Sequence, residues 1–117
     1  MTHVAELQWR NIGAEPATGG TVTIFTFGSG KRQSELGKGD LIGAGGPNVM
    51  PGYNGSAKID FDAKQLGDRL LACVIFFDDQ QKTYPRAFLY HQDPVQNNAV
   101  HLSELPPPRP KYNAVCP

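Results

Sequence analysis

Apolar and polar residues alternate along several stretches of the chain, as they do in β-strands that bury one face. Residues 5–10 place Ala, Leu and Trp between Glu, Gln and Arg, and residues 56–62 alternate in the same way. Residues 21–27 are β-branched and aromatic, which favours a strand. Residues 70–77 are apolar throughout, which indicates a central strand covered on both faces. Residues 83–91 follow a polar turn and predict the second strand of a hairpin.

Glycine, proline and polar residues separate these predicted strands. The polar segment 28–39 is predicted to be a loop with room for a short helical turn at 33–36, and Asp62 is predicted to cap a single turn. We therefore predict an all-β fold, a single antiparallel β-sandwich of six to seven short strands with at most short helical turns. Residues 1–105 are expected to form this β-sandwich domain, and residues 106–117 a Pro-rich C-terminal tail.

The composition supports this fold and narrows the classes of function. Thirteen glycines and 10 prolines among 117 residues argue against a helical bundle, because both residues destabilise helix interiors. Eleven basic and 11 acidic residues leave no net charge, so the basic excess of nucleic-acid-binding domains is missing. No apolar run approaches the roughly 18–20 residues of a membrane helix, and no signal peptide is seen at the N-terminus. We expect a protein that is cytoplasmic or assembled in a particle.

The two cysteines lie far apart in the sequence. Cys73 is inside the apolar stretch, and Cys116 is next to the C-terminus. They could form one disulfide, but a buried inert thiol and an exposed tail thiol are the favoured interpretation, because disulfides are rare in cytosolic proteins. No C-x-x-C spacing points to a metal site.

The sequence lacks the motifs of common enzyme classes. It contains no G-x-S-x-G nucleophile motif, and its three histidines are scattered. Residues 28–31 resemble part of a phosphate-binding P-loop, but Phe25 and Arg32 stand where that motif requires Gly and Ser or Thr. We expect no catalytic residue, no enzymatic activity and no cofactor, with calcium as the one possible exception.

Three carboxylates supply the calcium hypothesis. Asp60, Asp62 and Asp68 follow a D-x-D-x5-D spacing that resembles the third calcium loop of C2 domains, which are also β-sandwiches. Residues at i and i+2 face one side of a strand, and calcium prefers oxygen ligands of this kind. In the alternative interpretation, Asp60 faces solvent, Asp62 caps a turn and Asp68 lies in a loop.

Two further segments suggest a protein interface. The side chains of Tyr84, Arg86, Phe88 and Tyr90 share one face of a predicted strand, and Tyr and Arg are frequent in interaction hot spots. On an exposed face they would form a binding surface, whereas inside the sandwich they would belong to the core. In the tail, Pro107, Pro108 and Arg109 belong to a polyproline segment that could bind an SH3-like groove. The alternative for the tail is an ordered strap over the domain or a disordered end.

The order of these features resembles the transthyretin-like β-sandwich of type VI secretion outer-membrane lipoproteins. The resemblance covers residues 21–27, the segment LGKGDLI at 36–42, the MPG turn at 50–52 with KIDF at 58–61, and the hairpin of 70–77 with YPR at 84–86. The lipobox cysteine of that family is missing. The resemblance implies a sandwich that docks onto a larger secretion component through its loops, and a virion or tail component fits equally well.

We therefore expect a non-enzymatic protein–protein interaction or assembly module, with a protein partner or self-association and no membrane span. The alternative is a calcium-dependent or carbohydrate-binding β-sandwich module. For the carbohydrate alternative, Trp9, Tyr53 and Asn54 are the candidate residues.

Overall fold

The computed structural model describes residues 2–28, 31–43, 46, 48–92, 102–105 and 108–117. The strands in this part are β1 (Thr2–Arg10), β2 (Gly19–Gly28), β3 (Lys31–Asp40), β4 (Ile42–Gly43), β5 (Asn54–Asp62), β6 (Arg69–Phe77), β7 (Thr83–Gln92) and β8 (Leu102–Glu104). A 3₁₀ turn at Ala63–Gln65 and a four-residue helix, α1 (Tyr112–Val115), are the helical segments. No helix in the described residues has the length and apolar character needed to cross a membrane.

The strands form two antiparallel sheets. One sheet has three strands in the order β1-β5-β4, and the other has five in the order β3-β2-β6-β7-β8. This confirms the predicted all-β, sandwich-like fold with only short helical turns. The described part contains eight strands rather than six to seven, because β3 occupies a segment that was predicted to be a loop.

The core lies between the sheets and is built from their facing sides. β5 buries Ala57, Ile59 and Phe61 and exposes Lys58 and Asp60, which confirms the alternation predicted for this strand. Each fully buried Leu, Ile or Val contributes roughly 1.5–3 kcal/mol relative to an exposed one, so this layer dominates the stability of the fold. The buried members of the core are Leu7, Val22, Ile24, Leu41, Ala57, Ile59, Leu70, Ala72 and Val74.

β6 is the central strand of the larger sheet, and both of its faces are buried, as its continuous apolar sequence predicts. Leu70 and Val74 face the core, whereas Leu71 and Cys73 belong to a second cluster on the outer face. β7 pairs with β6 along the whole length of β6, which confirms the predicted hairpin.

The helical turn predicted at 33–36 is wrong, since these residues lie in β3, which pairs with β2. Gly37 and Gly39 suggested a loop, but here glycine allows the opposite sheet to approach closely. A Cβ atom on Gly37 would lie 2.7 Å from Cγ2 of Ile59, and one on Gly39 would lie 2.8 Å from the carbonyl oxygen of Lys58. Side chains essentially never make such short contacts, so the glycines permit the two sheets to touch at β3.

The sheets join along one side of the sandwich and separate along the other. On the joined side, β3 leads directly into β4, and β4 pairs with β5 of the smaller sheet. On the other side, β1 is the edge of the smaller sheet and its Trp9 reaches Phe88 of β7. We call this second side the open side. It is bounded by the edge of β1 and by the inner face of β7.

A disulfide bond between Cys73 of β6 and Cys116 holds the C-terminal segment on the outer face of the larger sheet. The favoured interpretation of two free thiols is therefore wrong. Cys73 points away from the core between the sheets, and α1 brings Cys116 to the same outer cluster, where Tyr112 and Val115 pack. The Cα atoms lie 5.9 Å apart, a usual separation for bonded cysteines.

Candidate protein-interaction groove

A groove with a volume of about 890 Å³ runs along the open side of the sandwich. Its floor is the inner face of β6 and β7. One wall is the end of β1 with the loop at 11–17, and the other includes Glu104 and Arg109. We call it the aromatic groove, because its lining includes Trp9, Phe76, Tyr84, Phe88 and Tyr90.

The four β7 residues predicted to form an interface all lie on the floor of this groove. In the register of the hairpin, Tyr84, Arg86, Phe88 and Tyr90 lie opposite Phe76, Val74, Ala72 and Leu70 of β6. Directly opposed residues share one face of a sheet, and here that face is the inner one. The groove leaves Arg86 exposed and the three aromatic residues half-buried, so this inner face is only partly covered.

At one end of the groove, aromatic rings and cations stack on one another. The rings of Phe76 and Tyr84 lie nearly parallel, with their centroids 5.2 Å apart. The Arg86 guanidinium lies 5.6 Å from the centroid of Phe76, and the Lys82 ammonium lies 5.5 Å from that of Tyr84. These contacts fix the orientation of Arg86, whose Nη1 also donates to its neighbouring backbone carbonyl at 2.8 Å.

At the other end, Phe88 is held between two residues from distant parts of the chain. Trp9 of β1 packs against it at 5.7 Å between centroids, and the Arg109 guanidinium lies 5.2 Å from its centroid. Arg109 Nε also pairs with Glu104 Oε1 at 3.1 Å. The buried indole N–H of Trp9 makes no hydrogen bond of regular geometry among the described residues, but it is near enough to the Tyr90 hydroxyl to lower the pKa of that phenol. Through Arg109, the C-terminal segment forms part of the groove wall.

Asp78 connects the β6–β7 turn to the groove. Its Oδ1 accepts hydrogen bonds from the backbone N–H groups of Gln80 and Lys82, and its Oδ2 accepts one from the Tyr84 hydroxyl at 3.0 Å. The bond from Lys82 is the largest cause that lowers the pKa of Asp78 below its ordinary value of 3.8, although burial opposes it. The same carboxylate raises the pKa of Tyr84. Asp78 thus positions the tyrosine ring that stacks on Phe76.

Tyr90 remains protonated far above neutral pH. Burial, with a smaller contribution from the carboxylate of Glu104, raises its pKa to about 12. The neutral phenol keeps its O–H group, which can donate a hydrogen bond to a ligand.

The wall at 11–17 is fixed by the hydrogen bonds of Asn11. The Asn11 side chain donates to the carbonyl oxygens of Glu15 and Val49, each at 2.9 Å, and its backbone bonds with the turn at 52–53. Ile12 is 92% exposed beside this anchor. The loop at 11–17 therefore exposes the apolar side chain of Ile12 on a backbone held by hydrogen bonds.

The structure does not bring the predicted calcium ligands together. Asp60 is exposed on β5, Asp62 caps the 3₁₀ turn by accepting from the Lys64 N–H at 3.0 Å, and Asp68 precedes β6. This confirms the predicted cap.

Within the described residues, the acidic ligand atoms that converge within 4.8 Å belong to Glu15, Asp78 and Asp79. The oxygens of Asp78 are already engaged by the turn and by Tyr84.

The other predicted site residues are dispersed. Trp9 lines the groove, but neither Tyr53, which immediately precedes β5, nor Asn54, its first residue, lines it, and both are exposed. Pro108 is exposed, next to Arg109, and Pro107 lies outside the described residues.

Sequence reasoning missed Phe76, Asp78 and the loop at 11–17 as parts of the groove. The signal that could have found Phe76 is its place opposite Tyr84 in the predicted hairpin.

The chain matches no protein-family model, no curated protein and no solved structure. The resemblance to the transthyretin-like sandwich of type VI secretion lipoproteins therefore stays a prediction. Sandwiches of this kind serve many unrelated functions, so the fold alone does not indicate the function.

Proposed function

We propose that this protein is a non-enzymatic interaction module that binds an extended segment of a partner protein along its open side. The segment would pair with the edge of β1 and cover the floor of the aromatic groove. One observation carries the proposal: among the described strands, the nine-residue β1 pairs with β5 alone, and its end lies beside the partly uncovered face of β7.

The backbone of β1 can supply the affinity. In an antiparallel strand, alternate N–H and C=O groups point to opposite sides, so pairing with β5 leaves half of them directed away from it. An added strand would satisfy these groups with regular ladder hydrogen bonds, which is how many domains bind extended peptides. It would also protect an edge that is otherwise open to unspecific pairing.

The floor of the groove can supply selectivity. Side chains of an added strand alternate in direction, so every second one would point towards β7. There it would meet the half-buried rings of Phe88 and Tyr90, and the exposed side chain of Arg86. Aromatic and arginine side chains are the residue types that most often dominate binding energy. In a secretion machine or a virion, such strand addition would join this module to its neighbour.

Carbohydrate binding has less support, because sugars stack on free aromatic faces. In this groove, Phe76 packs with Tyr84 and Arg86, while Phe88 packs with Trp9 and Arg109. Calcium-dependent binding has less support because Asp60, Asp62 and Asp68 do not converge.

The proposal is tested with peptides of about ten residues, a length that spans β1, selected from a random display library. Binding of a selected synthetic peptide is measured by calorimetry to the wild type, to Arg86→Glu and to Arg32→Glu. We expect Arg86→Glu to weaken binding at least about tenfold, since it reverses a charge in the groove. Arg32 is an exposed residue of β3 outside the groove and provides the matched control. Equal affinities for all three proteins would contradict the proposal.

A further inference from the structure

We propose that the Cys73–Cys116 disulfide controls the aromatic groove from the opposite face of the sheet. The link between them is the C-terminal segment 108–117, which we call the strap. A role of the disulfide in regulating partner binding rests on the proposed function. The effect of disulfide reduction on the groove, which we call the coupling, can be measured without any partner.

The strap contacts both faces of the larger sheet. Near its start, Arg109 lies on the inner face, over Phe88 and paired with Glu104. Only three residues later, Tyr112 packs in the outer cluster that contains Cys73. The strap therefore crosses from one face to the other next to β8, and a displacement of its outer end pulls on its inner end.

The disulfide is the strongest attachment of the outer end. α1 has four residues, and a single helical turn has little stability of its own. A further polar attachment of this end among the described residues is the bond from Gln33 Nε2 to the carbonyl oxygen of Val115 at 3.1 Å, in an exposed setting. Without the covalent bond, the outer end would keep this contact and the packing of Tyr112, Val115 and Cys116.

The controlling reaction is thiol–disulfide exchange with a dithiol reductant. One thiolate of the reductant attacks a sulfur of the disulfide and forms a mixed disulfide, while the other cysteine leaves as a thiolate and takes up a proton. The second reductant thiolate then resolves the mixed disulfide. Two electrons pass to the protein, which ends with two thiols, and the reductant ends as a disulfide. A pocket of about 230 Å³ lined by Cys73, Tyr112 and Pro117 lies beside the bond.

Release of the strap changes the groove in a definite way. Arg109 leaves the ring of Phe88, and Glu104 loses its cation. The groove becomes wider and more negative at the end where Trp9 packs against Phe88. The oxidised and reduced forms should therefore differ in their affinity for the same bound segment.

Two signals of the full chain test this coupling. Trp9 is the single tryptophan, so its indole N–H resonance reports on the groove, and trypsin cleavage after Lys111 reports on the strap. Dithiothreitol should accelerate this cleavage at least about tenfold, because a released terminus opens far more often than a tethered one. It should also shift the Trp9 resonance, with the far-UV circular dichroism unchanged. Cys116→Ser should show both changes without reductant and no further change with it.

Arg109→Gln is the control that separates the two signals. It should shift the Trp9 resonance while cleavage after Lys111 stays as slow as in the oxidised wild type, because the disulfide is intact. Faster cleavage with an unmoved Trp9 resonance would overturn the coupling. So would unchanged cleavage on reduction, loss of the sandwich on reduction, or an Arg109→Gln variant with an unmoved resonance. If the coupling holds but no selected peptide binds either redox form, the proposed function fails and the coupling stands.

Discussion

The guanidinium of Arg109 lies over the ring of Phe88, at 5.2 Å from the ring centroid. Phe88 also packs against Trp9, so β1, β7 and the C-terminal segment meet at one aromatic side chain. This junction closes one end of the aromatic groove. It connects the open edge of β1, the floor of the groove on β7 and the strap held by the disulfide.

Replacing both cysteines by serine should lower the free energy of unfolding. The bonded cysteines are 43 positions apart. A crosslink closing a loop of that length restricts the unfolded chain by about 4 kcal/mol at most. Urea denaturation of the variant measures the effect. Reduced wild type is the control and should unfold near the same midpoint as the variant, whereas a variant as stable as the oxidised protein would contradict the prediction.

Asp78→Asn should destabilise the protein at neutral pH, since Asp78 anchors the β6–β7 turn and the Tyr84 hydroxyl. Because the folded-state pKa of Asp78 lies below 3.8, its carboxylate stabilises the fold above that value. This contribution is lost as the pH falls through the folded-state pKa. Denaturant midpoints of wild type and variant should therefore differ clearly at pH 7 and converge below pH 3.8. A difference that persists undiminished in acid would refute the electrostatic explanation.

Tyr90 should make the fold sensitive to alkali. Burial raises its pKa from 10.0 to about 12, so the unfolded state loses its proton before the folded state does. The contribution of Tyr90 to stability is then complete below pH 10 and is lost progressively up to about pH 12. Tyr90→Phe should flatten this loss in denaturation curves recorded across that window. Tyr53→Phe is the control, because Tyr53 is 68% exposed.

Gly37→Ala should destabilise the sandwich, because its Cβ atom would lie 2.7 Å from Ile59 and 3.0 Å from the carbonyl oxygen of Asp60. Overpacking of this kind typically costs about 1–3 kcal/mol. Thermal or urea denaturation gives the value. Ser34→Ala changes an exposed residue of the same strand and should be nearly neutral. Equal stability of the two variants would mean that the sheets do not touch at β3.

Much of the fold could be predicted because a single strand can be recognised from its local pattern of apolar and polar residues. The alternation around Ile59 and the apolar run around Val74 depend only on which faces are buried. β3 could not be recognised, because its glycines are required by the close approach of β5 in the other sheet and not by the strand itself. At β3, the contact with β5 outweighs the preference of a glycine-rich segment for a loop.

The site was predictable only in part, for a similar reason. Period two places Tyr84, Arg86, Phe88 and Tyr90 on one face, but it does not say whether another sheet covers that face. The coverage depends on where β1 ends and on how Arg109 returns to the sheet. Likewise, the pairing of Cys73 with Cys116 is a relationship in space that their spacing does not encode.

The central claim is that the edge of β1 accepts an added strand, and amide hydrogen exchange at β1 tests it most directly. Exchange of residues 2–10 is recorded for the wild type alone and with a saturating amount of the selected peptide. The account predicts that alternate amides of β1, those directed away from β5, gain protection, while β3 at the opposite end of the larger sheet does not change. A peptide that binds tightly and leaves every amide of β1 unprotected would contradict it.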